Sequence, residues 1–403
     1  MLSFEEAREK VIATVRALRA PLPTETVELL RACGRVLAQP VAADRDYPPF
    51  DRSIRDGFAL RADDAVPGAT LRCIGEIKAG GGFDGSVGAG ECVQIMTGAA
   101  VPAGADAVVM IEHVSVDGQR IMLSRPATRG QSIVARAKEA RAGQQLLAPG
   151  TRLGYAEMAL AGQVGKHHIE VFKRPRAAIL STGDEVVDVS VTPGPLQVRN
   201  GNSIALQTLA TLTGAESESL GNAPDEKKEL RRFIERGLDA NLLIISGGVS
   251  MGKYDLVEMV LGELGTQFVY DSVAIRPGRP AVFGVCRGKP VFGLPGNPVS
   301  TMVTFELFVV PAIDVLGGAE PRPLPIFRAR LAHALHERSE LTHFLPARVH
   351  TVAGEPEVSA LPWQGSGDVV TMAESNAFLI VPPEKLNWDA GEMAVVLPRR
   401  GLL

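Results

Sequence analysis

Three short apolar runs, each followed at once by a polar loop that contains glycine, constrain the fold of this chain most strongly. Residues 177–180 run into Ser-Thr-Gly-Asp-Glu, residues 242–245 into Ser-Gly-Gly-Val-Ser-Met-Gly, and residues 291–293 into Leu-Pro-Gly-Asn-Pro. Helical patterns between the runs are typical of a parallel sheet covered on both faces. Because ligands bind at the carboxyl edge of such a sheet, the sequence predicts a doubly wound α/β domain over 175–320 with its ligand cleft at these loops.

Four helices are predicted inside this domain, at 203–213, 225–238, 256–264 and 299–316. Asn202 is a good cap for the first helix, and Asp225 is expected to cap the second. The last of the four is long and apolar, which is typical of a core helix.

The rest of the chain divides into three further predicted parts. Residues 1–45 and 146–174 are expected to form the N-terminal helices, one of them near 25–38, and a split linker domain. Residues 46–145 contain short β-rich runs divided by glycines and indicate an inserted β domain. Residues 321–403 alternate apolar and polar side chains and predict a small β-barrel. The expected fold class is therefore multidomain α/β plus β.

Composition and charge exclude several classes of protein. With 42 basic and 46 acidic residues the net charge is −4, so no overall field attracts nucleic acid or an anionic membrane. No run approaches the ~20 apolar residues that span a bilayer, and the N-terminus lacks an apolar signal segment, so a cytoplasmic protein is expected. The four cysteines form no CxxC and are expected to be buried small hydrophobic residues.

Carboxylates gather at the predicted cleft and indicate a cation site. Asp184, Glu185, Asp225 and Asp255 are scattered in sequence but follow neighbouring strands. Oxygen ligands brought together from separate loops are what a hard cation such as Mg²⁺ requires.

Two arginines and one glycine-rich loop indicate anion binding. Arg276 and Arg279 flank a Pro-Gly turn, which presents two planar guanidinium groups to an oxyanion. Gly247 opens a Gly-x4-Gly-Lys sequence between a strand and a helix, which is close to a phosphate-binding P-loop. Tyr254 stands where a P-loop needs Ser or Thr, so a glycine-rich anion turn at the helix N-terminus is the favoured interpretation.

Together these motifs resemble the molybdopterin molybdenumtransferases, the family of MoeA proteins and gephyrin E domains. The resemblance covers nearly the whole chain, and the motifs occur in the family's order. The segments that carry it are Pro49–Ala59, Ile95–Ala99, Pro102–Met110, Ser181–Glu185, Ser246–Gly252, Arg276–Pro280 and Leu294–Ser300.

The resemblance implies an activity and an assembly. Molybdate and adenylylated molybdopterin would give molybdenum cofactor and AMP, with Mg²⁺ or another divalent cation. The active cleft would lie between the inserted β domain of one subunit and the α/β domain of the other in a homodimer. A molybdopterin adenylyltransferase is the upstream partner it implies, with no nucleic acid and no membrane.

The family's functional positions can be carried over residue by residue. The catalytic residues implied are Asp56, Thr97, Glu185, Asp225 and Asp255, of which the last three would bind the cation. The substrate-binding residues implied are Ser53, Glu139, Thr182, Gly183, Asp184, Gly247, Gly248, Ser250, Arg276, Arg279, Pro295, Gly296, Asn297, Pro298, Arg348 and Ser366.

This chain departs from the family pattern at several of these positions. Arg52 and Arg55 stand beside Asp56 where the family has neutral residues, and they are expected to stabilise its anion. Glu139 replaces the usual aspartate, and Arg276 and Arg279 replace lysines. A changed choice of oxyanion, such as tungstate, is therefore left open.

Two other functional classes are also left open. A P-loop-like nucleotide hydrolase would hydrolyse nucleotide without pterin. A non-catalytic scaffold would bind the pterin without releasing AMP.

Overall fold

A computed structural model describes residues 1–18, 21–248, 256–338 and 340–401. The first element is α1 (Phe4–Ala17). Ser3 begins it: its side chain accepts a hydrogen bond from the Glu6 amide, while the Glu6 carboxylate accepts one from the Ser3 amide. One apolar face of α1, which includes Val11 and Val15, joins the largest core of the molecule.

The predicted second helix near 25–38 is wrong. The chain forms β1 (Thr24–Glu28), a 3₁₀ turn at Leu29–Ala32 and then β2 (Val41–Ala42). Side chains of β1 alternate between exposed and half-buried positions, which is the period of a strand. The partner strand of β1 lies far along the chain, so the local sequence alone does not show this pairing.

The inserted segment forms a β-sheet, as predicted. The strands between residues 52 and 134 are β3 (Arg52–Ser53), β4 (Gly57–Leu60), β5 (Thr70–Ile77), β6 (Glu91–Ile95), β7 (Ala107–Met110), β8 (Val114–Asp117), β9 (Arg120–Leu123) and β10 (Ile133–Val134). Six of them form a sheet in the order β7-β4-β6-β5-β9-β8. Neighbouring residues of β4 point into different cores, because Phe58 packs on one face of this sheet and Ala59 on the other.

The chain then returns to pair with its beginning. The returning elements are β11 (Gln145–Leu147), α2 (Tyr155–Gln163) and β12 (His168–Phe172). Strand β11 pairs with β2, and β12 pairs with β1, both antiparallel. The segments that precede and follow the inserted sheet thus pair with each other although they are distant in sequence.

A six-stranded sheet forms the centre of the next part of the chain. Its region contains β13 (Arg176–Thr182), β14 (Val186–Val187), β15 (Val198–Arg199), α3 (Gly201–Thr213), β16 (Glu216–Ala223), α4 (Lys227–Gly237), β17 (Leu242–Ser246), α5 (Leu256–Glu263), β18 (Gln267–Tyr270), β19 (Ile275–Arg276), β20 (Val282–Cys286) and β21 (Lys289–Leu294). The order is β16-β13-β17-β21-β20-β18, with the first four strands parallel and the last two pairings antiparallel. Separate cores cover its two faces.

Two helix caps differ from the sequence predictions. Helix α3 is capped by Asn200 rather than Asn202, since the Asn200 side chain accepts a hydrogen bond from the Ser203 amide. Helix α4 begins at Lys227, so Asp225 does not cap it. Asparagine and aspartate are both favoured at the N-cap of a helix. The backbone path decides which of several such residues occupies that N-cap.

A long apolar helix packs against the parallel sheet. It consists of α6 (Pro298–Thr304), a π-helical turn at Phe305–Val309 and α7 (Val310–Leu316). Contrary to the sequence analysis, these 19 residues are long and apolar enough to cross a membrane by length and composition, the one such helix in the described ranges. However, 83% of its apolar window is buried inside the molecule, as in a core helix.

The C-terminal segment closes into the predicted barrel. Its elements are β22 (Phe327–Leu331), β23 (Leu335–His336), β24 (Thr342–Val352), β25 (Glu355–Ala360), α8 (Val369–Glu374), β26 (Ala377–Val381), β27 (Asn387–Trp388) and β28 (Met393–Pro398). Five strands close in the order β24-β25-β22-β28-β26, because β26 also pairs with β24. Strand β19 joins β24, where Arg276 lies beside His343. The barrel is thus attached directly to the Pro-Gly turn of the α/β region.

The prediction that all four cysteines are buried is confirmed for only two of them. Cys92 and Cys286 are buried, Cys73 is half-buried and Cys33 is exposed. All four are free thiols.

A candidate ligand cleft at the carboxyl edge of the α/β sheet

The polar loops after β13, β17 and β21 line one cleft of about 760 Å³. Ten residues predicted from the sequence lie in its wall: Thr182, Gly183, Glu185, Asp225, Gly247, Gly248, Pro295, Gly296, Asn297 and Pro298. The cleft lies beyond the carboxyl ends of parallel strands, because register places Ser181, Ser246 and Leu294 side by side.

Two carboxylates share one wall of this cleft. Glu185 follows β13 and Asp225 follows β16, and both line the cavity. Burial, and then the charges of Asp184 and Glu185, raise the pKa of the Asp225 carboxyl. The Asp225 amide donates a 3.1 Å hydrogen bond to Asp184 Oδ1, which keeps the two acidic segments together. A cation between Glu185 and Asp225 would relieve their repulsion, so this oxygen donor set fits a hard divalent ion.

The described part of the predicted cation site contains Glu185 and Asp225. Asp255 lies outside the described residues, as does Ser250 among the predicted anion-binding residues. Within the ranges that the structure covers, no group of three or more His, Cys, Asp and Glu side chains is arranged around a common point. Glu185 and Asp225 are thus the two described carboxylates that the predicted set brings to the cavity wall.

The Glu185 carboxylate is seated over the backbone of Gly183. Gly183 has a φ of +121°, and a Cβ placed on it would lie 2.5 Å from Glu185 Oε2. The backbone conformation favours glycine here, and any side chain at this position would displace the Glu185 carboxylate.

A buried hydroxyl without a partner faces the same cavity. Thr182 is 4% exposed and lines the cleft, and its Oγ1 has no hydrogen-bond partner within residues 1–18, 21–248, 256–338 and 340–401. The backbone of Gly247 packs directly against this residue, since a Cβ on Gly247 would lie 2.8 Å from the Thr182 carbonyl oxygen. A ligand that reaches the floor of the cleft can therefore exchange a hydrogen bond with Thr182.

Two asparagines that the sequence analysis did not assign to the site hold its loops together. Asn202 Nδ2 donates hydrogen bonds of 2.9 Å to Ser246 Oγ and 2.7 Å to the Gly296 carbonyl oxygen. Asn200 Oδ1 accepts a 3.1 Å hydrogen bond from Ser181 Oγ. Both asparagines line the cleft. Their position at a helix start beside the predicted edge is the signal that could have identified them.

The two arginines of the Pro-Gly turn lie beside the cleft. Arg276 and Arg279 are exposed and form no ion pair within the described part of the chain, whereas Pro280 lines the cavity. Gly278 has a φ of +109°, and its Cβ would lie 2.6 Å from Thr304 Cγ2. The turn therefore rests closely on the apolar helix while both guanidinium groups stay free for an anion.

The C-terminal barrel contributes one loop to the cleft. Gly367 lines the cavity, and the Ser366 carbonyl oxygen accepts a 3.0 Å hydrogen bond from the Val299 amide. Arg348, by contrast, donates to the Glu374 carbonyl oxygen and is not among the lining residues.

The predicted residues of the inserted domain form a second cluster. Asp56 Oδ1 accepts hydrogen bonds of 2.6 Å from the Thr97 amide and 2.8 Å from Thr97 Oγ1, and these lower the pKa of the Asp56 carboxyl. Arg52 is paired at 2.6 Å with Glu139, and Thr97 supplies the hydrogen bonds that lower this pKa. The expectation that neighbouring arginines stabilise the Asp56 anion stays a prediction.

These inserted-domain residues do not reach the cleft of their own chain. None of the four predicted positions of this domain, Ser53, Asp56, Thr97 and Glu139, is among the lining residues, and neither is Asp184 of the α/β region. Ser53 is buried, and its hydroxyl accepts from the Arg55 amide and donates to the Arg55 carbonyl oxygen. It therefore fixes the turn that precedes Asp56 rather than presenting a free group.

Comparison with known proteins identifies the family. Family models match residues 2–165 as the MoeA N-terminal region, 178–315 as a probable molybdopterin-binding domain and 328–398 as the MoeA C-terminal region. The molybdopterin molybdenumtransferase of Nostoc sp. is 33% identical over 98% of this chain and 94% of its own length. The chain belongs to the molybdopterin molybdenumtransferase family. The family member of Haemophilus influenzae is 32% identical, with both chains covered completely.

Solved structures agree with this family assignment. A molybdopterin biosynthesis MoeA protein from Pyrococcus horikoshii is 32% identical, with a TM-score of 0.75 and 99% of each chain covered. A second structure of a MoeA protein from that organism is 27% identical and has a TM-score of 0.81, covering 99% of this chain and all of the other. As a member of the molybdenumtransferase family, the chain is a transferase of molybdenum cofactor biosynthesis.

Proposed function

We propose that this transferase inserts molybdate into adenylylated molybdopterin and releases AMP, with the help of a divalent cation. The observation that carries the proposal is the pair Glu185 and Asp225 in the wall of a cleft of about 760 Å³, beside two exposed arginines that form no ion pair with a described residue. Carboxylates suit a hard cation, and guanidinium groups suit an oxyanion. A phosphate-bearing pterin and molybdate together require both kinds of group.

The residues of the cleft can assist the reaction without a protein nucleophile. The phosphoanhydride that joins AMP to the pterin is broken by an oxygen nucleophile, so negative charge develops on phosphate oxygens. Glu185 and Asp225 would hold Mg²⁺, which neutralises such charge when bound. Arg276 and Arg279 would bind the oxyanion by charge-assisted hydrogen bonds and orient it. Thr182 would contact the substrate at the floor of the cleft.

The proposal includes a second subunit. Asp56 and Thr97 form a fixed polar pair on the inserted sheet, yet they do not line the cleft of their own chain. In a homodimer the inserted domain of one subunit would bring this pair to the cleft of the other. The adenylylated pterin would be supplied by a molybdopterin adenylyltransferase.

The deciding experiment is incubation of the purified protein with adenylylated molybdopterin, molybdate and Mg²⁺, with measurement of AMP and of molybdenum cofactor. We expect both products, and loss of both when the cation is chelated. Retention of the pterin without AMP release would show a scaffold and refute the proposal. Hydrolysis of ATP in the absence of pterin, without cofactor formation, would instead show a nucleotide hydrolase.

A further inference from the structure

The side chain of Asn222 forms hydrogen bonds with both ends of the turn that carries Asp184 and Glu185. Asn222 lies at the carboxyl end of β16, opposite Ser181 of β13 in the sheet register. Its Nδ2 donates a 2.8 Å hydrogen bond to the Gly183 carbonyl oxygen and a 3.1 Å hydrogen bond to the Val186 carbonyl oxygen. These carbonyls stand on either side of the two acidic residues, so one amide group fixes both ends of the turn.

The other atom of this amide is buried without a partner. Asn222 Oδ1 has no hydrogen-bond partner among the residues that the structure describes. The amide cannot be turned round to satisfy it, because both neighbouring groups are carbonyl oxygens and accept only. A buried acceptor without a partner destabilises the folded state. A leucine of similar size has no such acceptor and would avoid this destabilisation. The presence of an amide is therefore explained by its hydrogen bonds to the turn.

The same turn is tied to the second carboxylate of the cleft. Asp225 follows Asn222 by three residues, and its amide donates to Asp184 Oδ1 at 3.1 Å. The Glu185 carboxylate lies over Gly183, whose carbonyl oxygen Asn222 holds. Movement of the Gly183 carbonyl group would therefore shift the backbone against which the Glu185 carboxylate lies.

We propose that Asn222 is a positioning residue, which sets the distance between the Glu185 and Asp225 carboxylates through the backbone of the turn. The role rests on the cation dependence given under the proposed function. Residues that orient metal ligands typically change metal affinity by about 10- to 100-fold when they are replaced. Replacing Asn222 should therefore raise the cation concentration for half-maximal AMP release by at least ~10-fold. The KM for the adenylylated pterin should stay the same.

The test compares Asn222→Leu with a matched control in the barrel. Asn376 is also an amide clamp: its Nδ2 donates to the Val349 carbonyl oxygen at 2.8 Å, and its Oδ1 accepts from the Val349 amide at 2.7 Å. Asn376→Leu thus removes a comparable clamp away from the cleft. Mg²⁺ is titrated against AMP release for the wild-type protein and both variants. Asn222→Asp is added because it places a carboxylate against two carbonyl oxygens and should be at least as harmful.

A second measurement keeps the inference separate from the proposed function. Crystal structures of the wild-type protein and Asn222→Leu should show a displaced turn at 183–186 and a moved Glu185 carboxylate. If the turn superimposes on the wild type, or if Asn222→Leu and Asn376→Leu have the same Mg²⁺ dependence, the inference is overturned. A wild-type protein that ignores Mg²⁺ would contradict the proposed cation instead, and the crystal structures would still decide whether Asn222 holds the turn.

Discussion

Adding a single methyl group at Gly183 should disable the cleft by moving Glu185. In Gly183→Ala the new Cβ would lie 2.5 Å from Glu185 Oε2 and 2.9 Å from both Oε1 and the carboxyl carbon. Ordinary contacts between such atoms begin near ~3.4 Å, so the carboxylate must retreat by about 1 Å. Misplacement of a functional group by about 1 Å can cost on the order of 100-fold in rate. We therefore expect AMP release to fall by about that factor.

A matched variant separates this displacement from backbone strain. Gly183 has a φ of +121°, where alanine is strained by about 1–3 kcal/mol whatever the space around it. Gly265 also has a positive φ, +82°, but a Cβ added there would have no atom within 4 Å. Gly265→Ala should therefore lose stability to a similar extent while keeping its activity.

The assay is steady-state AMP release at increasing Mg²⁺, accompanied by thermal unfolding of both variants. If folded Gly183→Ala keeps the turnover and the Mg²⁺ dependence of the wild type, the position of the Glu185 carboxylate is irrelevant to the reaction. The reasoning would also be refuted if Gly265→Ala lost as much activity as Gly183→Ala.

Four further predictions test the proposed site. Glu185→Gln should fold and bind the adenylylated pterin but lose cation-dependent AMP release, with partial rescue at high Mg²⁺; superimposable Mg²⁺ curves would make Glu185 a structural residue. Mixing inactive Asp56→Ala with inactive Glu185→Ala should restore part of the activity through one intact hybrid site, and a mixture that stays inactive would contradict the shared cleft. Replacing both Arg276 and Arg279 by Leu should weaken molybdate or pterin binding at least ~10²-fold, since each charge-assisted bond contributes roughly 1.5–3 kcal/mol; unchanged binding by titration would oppose their role. Because burial and nearby carboxylates raise the pKa of Asp225, protons should compete with the cation at a higher pH than at an ordinary aspartate. The Mg²⁺ concentration for half-maximal AMP release should therefore rise as pH falls, and Asp225→Asn should remove this pH effect.

The parallel core of the α/β region could be predicted because its strands are visible in the local sequence. Each of β13, β17 and β21 is a continuous apolar run, as expected for strands buried on both faces, and each ends in a polar loop. The rule that such ends share an edge then brought the loops of Thr182, Gly247 and Pro295 to one cleft. The family could be predicted because its motifs occur in the expected order along the chain.

Strand β1 shows where local patterns fail. The segment 24–38 contains enough apolar residues to suggest a helix, but its first residues pair with β12, about 140 residues away. A pairing partner at that distance leaves no trace in the segment itself. The same holds for Asp225, which makes its contact with Asp184 instead of capping α4.

Motifs and strand patterns are local properties of the chain, so the family and the residue types at the cleft could be predicted from the amino-acid sequence. Which of these groups meet follows from the packing of the folded chain. This packing tied the acidic turn to Asn222, packed Gly247 against Thr182 and left the Thr182 hydroxyl buried with no partner among the described residues. These contacts join segments that are distant in sequence, so their distances depend on how the sheet packs and not on the sequence around each residue.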